Sequence, residues 1–146
     1  MIEEAMVLWL SNALERPVYL GAIPQSVSAR PVIVISPPQS FDEGNTAKLT
    51  VKQKLTRFCI SVHGNTLTDL TSPRDEIRTV LNAIAETRPQ TQIGNFRCQS
   101  IIIEDIEQGM AAYKESTSDR RQPGANQQDY AYCDIHCFAS YHRNNV

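Results

Sequence analysis

The segment YAYCDIHCFASYH, residues 130–142, restricts the fold more than any other stretch of the chain. Ala131, Cys133, Ile135, Cys137, Ala139 and Tyr141 occupy alternate positions, and all are apolar in bulk. Tyr132, Asp134, His136, Phe138, Ser140 and His142 fill the positions between them, a mixed set. A period of two is that of a β-strand with one face in a core and the other open. The same geometry decides what the cysteines can do. At about 3.3 Å per residue, Cys133 and Cys137 lie about 13 Å apart along the strand. They are too far apart to share a zinc ion, whose bonds to sulfur are about 2.3 Å long. A disulfide, which needs Cα atoms within about 7 Å, is excluded as well. His136 faces away from both, and within its own strand Cys59 is separated from His63 in the same manner. The residues read as small, buried, apolar side chains, the usual role of a free cysteine. One alternative stays open: Cys59, Cys98 and either Cys133 or Cys137 meeting across neighbouring strands.

The rest of the chain supplies elements for this strand to pack with. Residues 2–14 place Ile2, Ala5, Met6, Trp9, Leu10 and Ala13 on one helical face, with Pro17 as the stop. Residues 31–36 are a short β-branched run, closed by Pro37 and Pro38. Residues 49–63 alternate as a second strand whose phase shifts by one, which predicts a bulge near Thr56 and Arg57. Ser72-Pro73-Arg74-Asp75 reads as a helix start with a serine cap, and Ile77, Val80, Leu81 and Ile84 line the face that follows. Residues 96–105, with three consecutive isoleucines, form a third long strand. Residues 39–48 and 106–129 are polar and turn-forming, too long for tight hairpins. No internal repeat or low-complexity tract interrupts the pattern. The expected architecture is one α+β domain over residues 1–146, in the order α-β-β-α-β-β. It has a four-stranded, mainly antiparallel sheet, two helices on one face and long loops extending from it.

Composition narrows the functional classes. The net charge is −2, and acidic and basic residues are spread evenly along the chain, so there is no basic stripe for gripping nucleic acid. The acidic start and short apolar run of MIEEAMVLWL fit neither a secretory leader nor a membrane span. The expected setting is a cytoplasm, where the four cysteines stay reduced, and none are paired as CxxC. Glycine-rich phosphate loops and the nucleophile elbow are missing. Asp134, His136 and Ser140 share a face, but even residues two apart on it stand about 6.6 Å from one another along the strand, beyond direct hydrogen bonding. Glu104, Asp105 and Glu107 form an acidic cluster at a strand end, suited to a cation or to a neighbour's arginine but more often plain solvated surface. Arg120 and Arg121 are a basic pair within a long loop. These readings give no catalytic residue, no cofactor and no metal ligand.

Five features together resemble the tail-terminator and tail-completion proteins of long-tailed bacteriophages. They are the amphipathic first helix; the connector Ile23-Pro24-Gln25 leading into Pro31-Val32-Ile33-Val34-Ile35; and Arg57-Phe58-Cys59-Ile60-Ser61-Val62-His63 followed by the helix over residues 75–86. The fourth is the strand over residues 96–105 ending in Ile102-Ile103-Glu104-Asp105, and the fifth is the last strand. The likeness covers nearly the whole chain, with an insert at 106–129 longer than the family pattern. It implies a structural virion protein without catalysis, assembled in the host cytoplasm. Such a protein forms a ring, often a homohexamer, that caps the tail tube and joins it to the head-side connector. The implied partners are other copies of the chain, the tail tube protein and the connector or neck protein, with DNA passing through the lumen unread. The loop residues Phe41, Asp42, Glu43, Lys114, Arg120 and Arg121 are the expected contacts. A neck or stopper protein is the nearest alternative. A cysteine or zinc enzyme and a small-ligand regulatory module are more distant ones.

Overall fold

The long alternating segments pair into one sheet, with short strands added at its margins. The computed structural model describes residues 2–36, 39–41, 54–86, 91–111 and 130–143. In chain order the elements are helix α1 (Ile2–Leu14) and strands β1 (Val18–Leu20), β2 (Val32–Ile35), β3 (Gln39–Phe41) and β4 (Lys54–Gly64). A 3-10 turn (Leu67–Leu70), helix α2 (Thr71–Glu86) and strands β5 (Thr91–Ile93), β6 (Phe96–Ala111) and β7 (Tyr130–Arg143) follow. The sheet order is β1-β2-β4-β7-β6-β5, and β3 pairs with β4 off this path. No described helix is long and apolar enough to cross a membrane.

This corrects the four-stranded, mainly antiparallel sheet expected from the sequence. Six strands follow one another in a mixed sheet and a seventh joins β4, with β1 running parallel to β2. The broad α+β class stands. β1, β3 and β5 are each three residues long, too short to show a period of their own. They are strands because a longer neighbour offers them a ladder. For β5 there was a local sign: Gly94 and Asn95 separate Ile93 from Phe96, the spacing of a two-residue hairpin. Gly94 has φ 59, and a Cβ there would stand 2.8 Å from the Cβ of Ala5. Glycine therefore lets the turn form and lets α1 pack close to it.

The expected bulge near Thr56 is also corrected. Residue pairs between β4 and β7 run without interruption from Lys54↔Tyr141 to Gly64↔Ala131. Thr56 keeps the inward phase of Phe58, Ile60 and Val62 and is buried at 2% exposure. Its hydroxyl is tied to that of Tyr141 at 3.0 Å. The earlier part of the expected strand, residues 49–53, lies outside the described residues. The register shifts fall in β6, between Cys98 and Ser100 and between Ile103 and Asp105. Each shift moves the phase by one, so Cys98, Ile101, Ile103 and Ile106 all pair with inward residues of β7. A run that does not alternate in sequence thus alternates in the sheet.

Both helices cover the same face. From α1 come Ile2, Met6, Leu10 and Leu14, one turn apart; from α2 come Ile77, Leu81 and Ile84. They pack on Ile33 and Ile35, on Phe58, Ile60 and Val62, and on Cys133, Ile135 and Cys137. Burying a side chain such as Leu10 or Ile135 contributes about 1.5–3 kcal/mol. Leu14 takes the place in the stripe expected for Ala13, which is exposed. α1 ends where Glu15 turns to φ 55 and the Arg16 amide reaches back to the Ser11 carbonyl at 3.3 Å, closing a Schellman turn. Arg16 then donates two hydrogen bonds to Glu76, at 3.2 and 2.9 Å, tying this end to α2. Those bonds, with one from Ser72, hold the Glu76 carboxyl below its usual range. α2 begins before the expected serine cap. Its entry is the 3-10 turn, where Thr66 and Asp69 cap one another's backbone amides.

Candidate functional site

With both helices on one side, the outward residues of the three central strands form an open polar face. Alternation puts Arg57, Cys59, Ser61 and His63 of β4 on it. Their ladder partners on β7 are Phe138, His136, Asp134 and Tyr132. The next strand continues the rows: Ile102 beside Phe138, Asp105 beside His136, Glu107 beside Asp134 and Gly109 beside Tyr132. The facing of the four β7 residues was read from the sequence; Cys59, expected there among the buried cysteines, instead lies half-buried on this open face, and the meeting of the two strands was not read.

The rows are joined by hydrogen bonds and charge. Ser61 Oγ donates to Asp134 Oδ1 at 2.8 Å, and Cys59 Sγ lies 3.6 Å from Ser61 Oγ. His136 Nε2 is 3.1 Å from Glu107 Oε1. The Arg57 guanidinium lies over the Phe138 ring, 5.1 Å from its centre, and its Nε donates to Glu104 Oε1 at 3.1 Å. His63 packs its ring 5.5 Å from that of Tyr130. One ligand atom from each of Cys59, Asp134 and His136 lies within 4.8 Å of the other two. Beside them is a recess of ≈ 310 Å³ lined by Ser36, Arg57, Phe58, Cys59, Glu104, His136 and Cys137.

Protonation follows from burial. The Cys59 thiol is held above its ordinary range chiefly by burial, with the Asp134 and Glu107 carboxylates adding to it and the Ser61 hydrogen bond opposing. Burial raises the other three thiols as well, Cys98 to about 11 and Cys137 to about 12. Protonated thiols are poor nucleophiles. A serine relay is not assembled either. Ser140 donates to Gln99 Oε1 at 3.1 Å, while Asp134 holds Ser61 and His136 lies against Glu107.

The possible cross-strand thiol cluster does not form. Cys98, Cys133 and Cys137 belong to the helix-covered core, whereas Cys59 has the opposite facing. The acidic residues expected at a strand end lie within β6. Glu104 holds Arg57, Glu107 faces His136, and Asp105 Oδ1 accepts from the Ile106 amide at 2.9 Å. Of the expected partner-contact residues, Phe41 ends β3 opposite Leu55. Asp42, Glu43, Lys114, Arg120 and Arg121 lie outside the described residues. Sequence reasoning missed the grouping of Cys59, Ser61, Glu107, Asp134 and His136. The available signal was that the outward phases of β4 and β7 are both rich in polar side chains.

A second feature is the outer edge of β6. β5 pairs with it only over Phe96–Cys98. From residue 99 to 111 no described strand takes its outer backbone groups, although β7 pairs its inner side as far as Ala111↔Tyr130. Compared with models of known protein families and with curated protein sequences, the chain matches none.

Proposed function

We propose that this chain is a structural subunit of a bacteriophage tail, a terminator or completion protein whose copies close into a ring between tail tube and head-side connector. The reading rests on the resemblance carried by the sequence, and the observation that supports it best is the outer edge of β6. An edge of that length offers backbone donors and acceptors to another chain. Ring closure requires contacts between different patches on successive subunits. Glu104, Asp105 and Glu107 make this strand acidic, which disfavours pairing with the same edge of another copy and suits a basic partner. Lys114, Arg120 and Arg121 supply basic groups in the segment between β6 and β7.

The placement of the two long connections adds support. The segment over residues 42–53 joins β4 at Lys54, which pairs with Tyr141. The segment over 112–129 joins the sheet where Ala111 pairs with Tyr130, beside the Gly64 end of β4. The two therefore leave from opposite ends of the sheet, as a subunit touching partners above and below it requires. Phe41, Asp42 and Glu43 serve one end, and Lys114, Arg120 and Arg121 the other. A stable contact would bury roughly 800 Å² on each partner. The mildly acidic balance of the chain suits a lumen through which DNA slides.

The test is deletion of residues 112–126. The shortened chain is expected to fold as a monomer, by circular dichroism and native mass spectrometry, yet to leave phage tails unjoined to heads. Normal joining of tails by the deletion variant would overturn the assigned contacts. Absence of the protein from purified virions would overturn the function.

A further inference from the structure

We propose that Cys59, Asp134 and His136 on the open sheet face form a binding site for a divalent transition metal of the zinc class. The site is independent of the ring assignment, since it stands on the geometry of β4 and β7 alone. Thiolate, imidazole and carboxylate are the three protein ligand types zinc takes. Magnesium and calcium prefer all-oxygen sets, so sulfur and nitrogen here select against them. Bonds of about 2.0–2.3 Å in a tetrahedron put ligand atoms about 3.2–3.8 Å apart. The three ligand atoms already lie within 4.8 Å of one another, so modest side-chain rotations bring them onto an ion.

The surrounding groups point the same way. A ligating histidine commonly carries a carboxylate on its ring, and a ligating carboxylate is commonly hydrogen-bonded in turn. Glu107 stands 3.1 Å from His136 Nε2, and Ser61 donates to Asp134 at 2.8 Å. The carboxylates of Asp134 and Glu107 give the face a negative field, while the Arg57 guanidinium on the same face is turned to Glu104. Residues from two strands hold the ligands, so the site needs the folded sheet. Three protein ligands leave a fourth position for a water. On binding, the Cys59 S–H bond breaks, its proton passes to solvent and a sulfur–metal bond forms, with no change of oxidation state.

The experiment is titration of the untagged, reduced, full-length protein with Co²⁺ as a spectroscopic probe. One equivalent should produce the sulfur-to-cobalt charge-transfer band, and added Zn²⁺ should remove it. Cys59→Ser should abolish the band. Asp134→Asn and His136→Ala should weaken binding at least tenfold. Glu107→Gln, at an exposed side chain, should weaken it about 10–100-fold while keeping the band. Cys98→Ala, behind the sheet, should leave both unchanged. Circular dichroism checks that each variant is folded, and Glu107→Gln carries the test should Cys59→Ser not fold. A wild-type chain without the band, a band surviving Cys59→Ser, or full affinity in Glu107→Gln would overturn the site.

Discussion

Thr56 and Tyr141 give the sharpest test of how β4 sits in the sheet. Their hydroxyl oxygens are 3.0 Å apart, and the residues are 2% and 3% exposed. Ile2, Met6, Ile35, Phe58, Cys98 and Ala139 line the space around them. The void there is ≈ 10 Å³, at the bottom of the about 10–15 Å³ one water needs, and its remaining walls are apolar. A hydroxyl that loses its partner here has no solvent to turn to. Thr56→Val and Tyr141→Phe each leave one buried hydroxyl unpaired, which costs about 1–3 kcal/mol, so we take about 2 for each. The double variant removes both hydroxyls and should cost about 1 kcal/mol or less, because replacing both partners by apolar groups of like shape is nearly neutral. The ring packing of residue 141 against Phe96, edge to face at 5.5 Å, survives as phenylalanine. Urea denaturation of the four proteins measures the cycle. With a slope of about 2 kcal/mol per molar urea, each single variant shifts the midpoint by about 1 M. A double variant costing the sum of the singles, about 4 kcal/mol, would show two independent hydroxyls and refute the inward placement of Thr56.

Two further outcomes follow from burial. Cys98, Cys133 and Cys137 are 2%, 0% and 1% exposed, and only Cys59 is partly accessible. In native buffer a thiol reagent should label Cys59 first, and the other three should react at the rate of unfolding; prompt labelling of all four would contradict the core. His63 titrates below its ordinary value of 6.5, chiefly through burial, so the folded state favours the neutral ring. The unfolded chain therefore binds this proton more readily, and stability from this residue is full above pH 6.5 and falls as pH drops through the folded value. His63→Gln should flatten the pH dependence of urea midpoints below pH 6.5, and identical slopes in variant and wild type would refute it.

What the sequence made legible was set by length and period. α1, α2 and β7 show their periodicities over enough residues to be read directly, and β2 was read from its β-branched composition. β7 in particular assigns every inward residue from Ala131 to Tyr141, all of them buried. β6 was readable only as far as residue 105, because Glu107, Gln108 and Gly109 give the stretch beyond it the composition of a loop, although its pairing runs unbroken to Ala111. The three short strands carry no period. Pairing was the larger loss. Adjacent segments suggested β2 with β4 and β6 with β7, and those pairs exist. The central β4–β7 pair joins strands more than sixty residues apart, and no local feature announces it. The facing of Cys59 and of His136 was thus available from phase, while their apposition needed the register.

The open face and the open edge of β6 are different surfaces, and this separates the two proposals. A ring neighbour pairing along residues 99–111 would use backbone groups in the plane of the sheet. A metal at Cys59, Asp134 and His136 would lie above that plane, over β7 and β4, one and two strands in from that edge. Glu107 is where they meet: its backbone belongs to the edge strand and its side chain faces His136. Glu107→Gln should therefore weaken metal binding yet leave assembly intact, since the backbone ladder is unchanged and Glu104 and Asp105 keep the strand acidic. Deletion of residues 112–126 should do the reverse. If both changes abolished both properties, face and edge would be parts of a single contact, and the metal would then have to sit within the subunit interface.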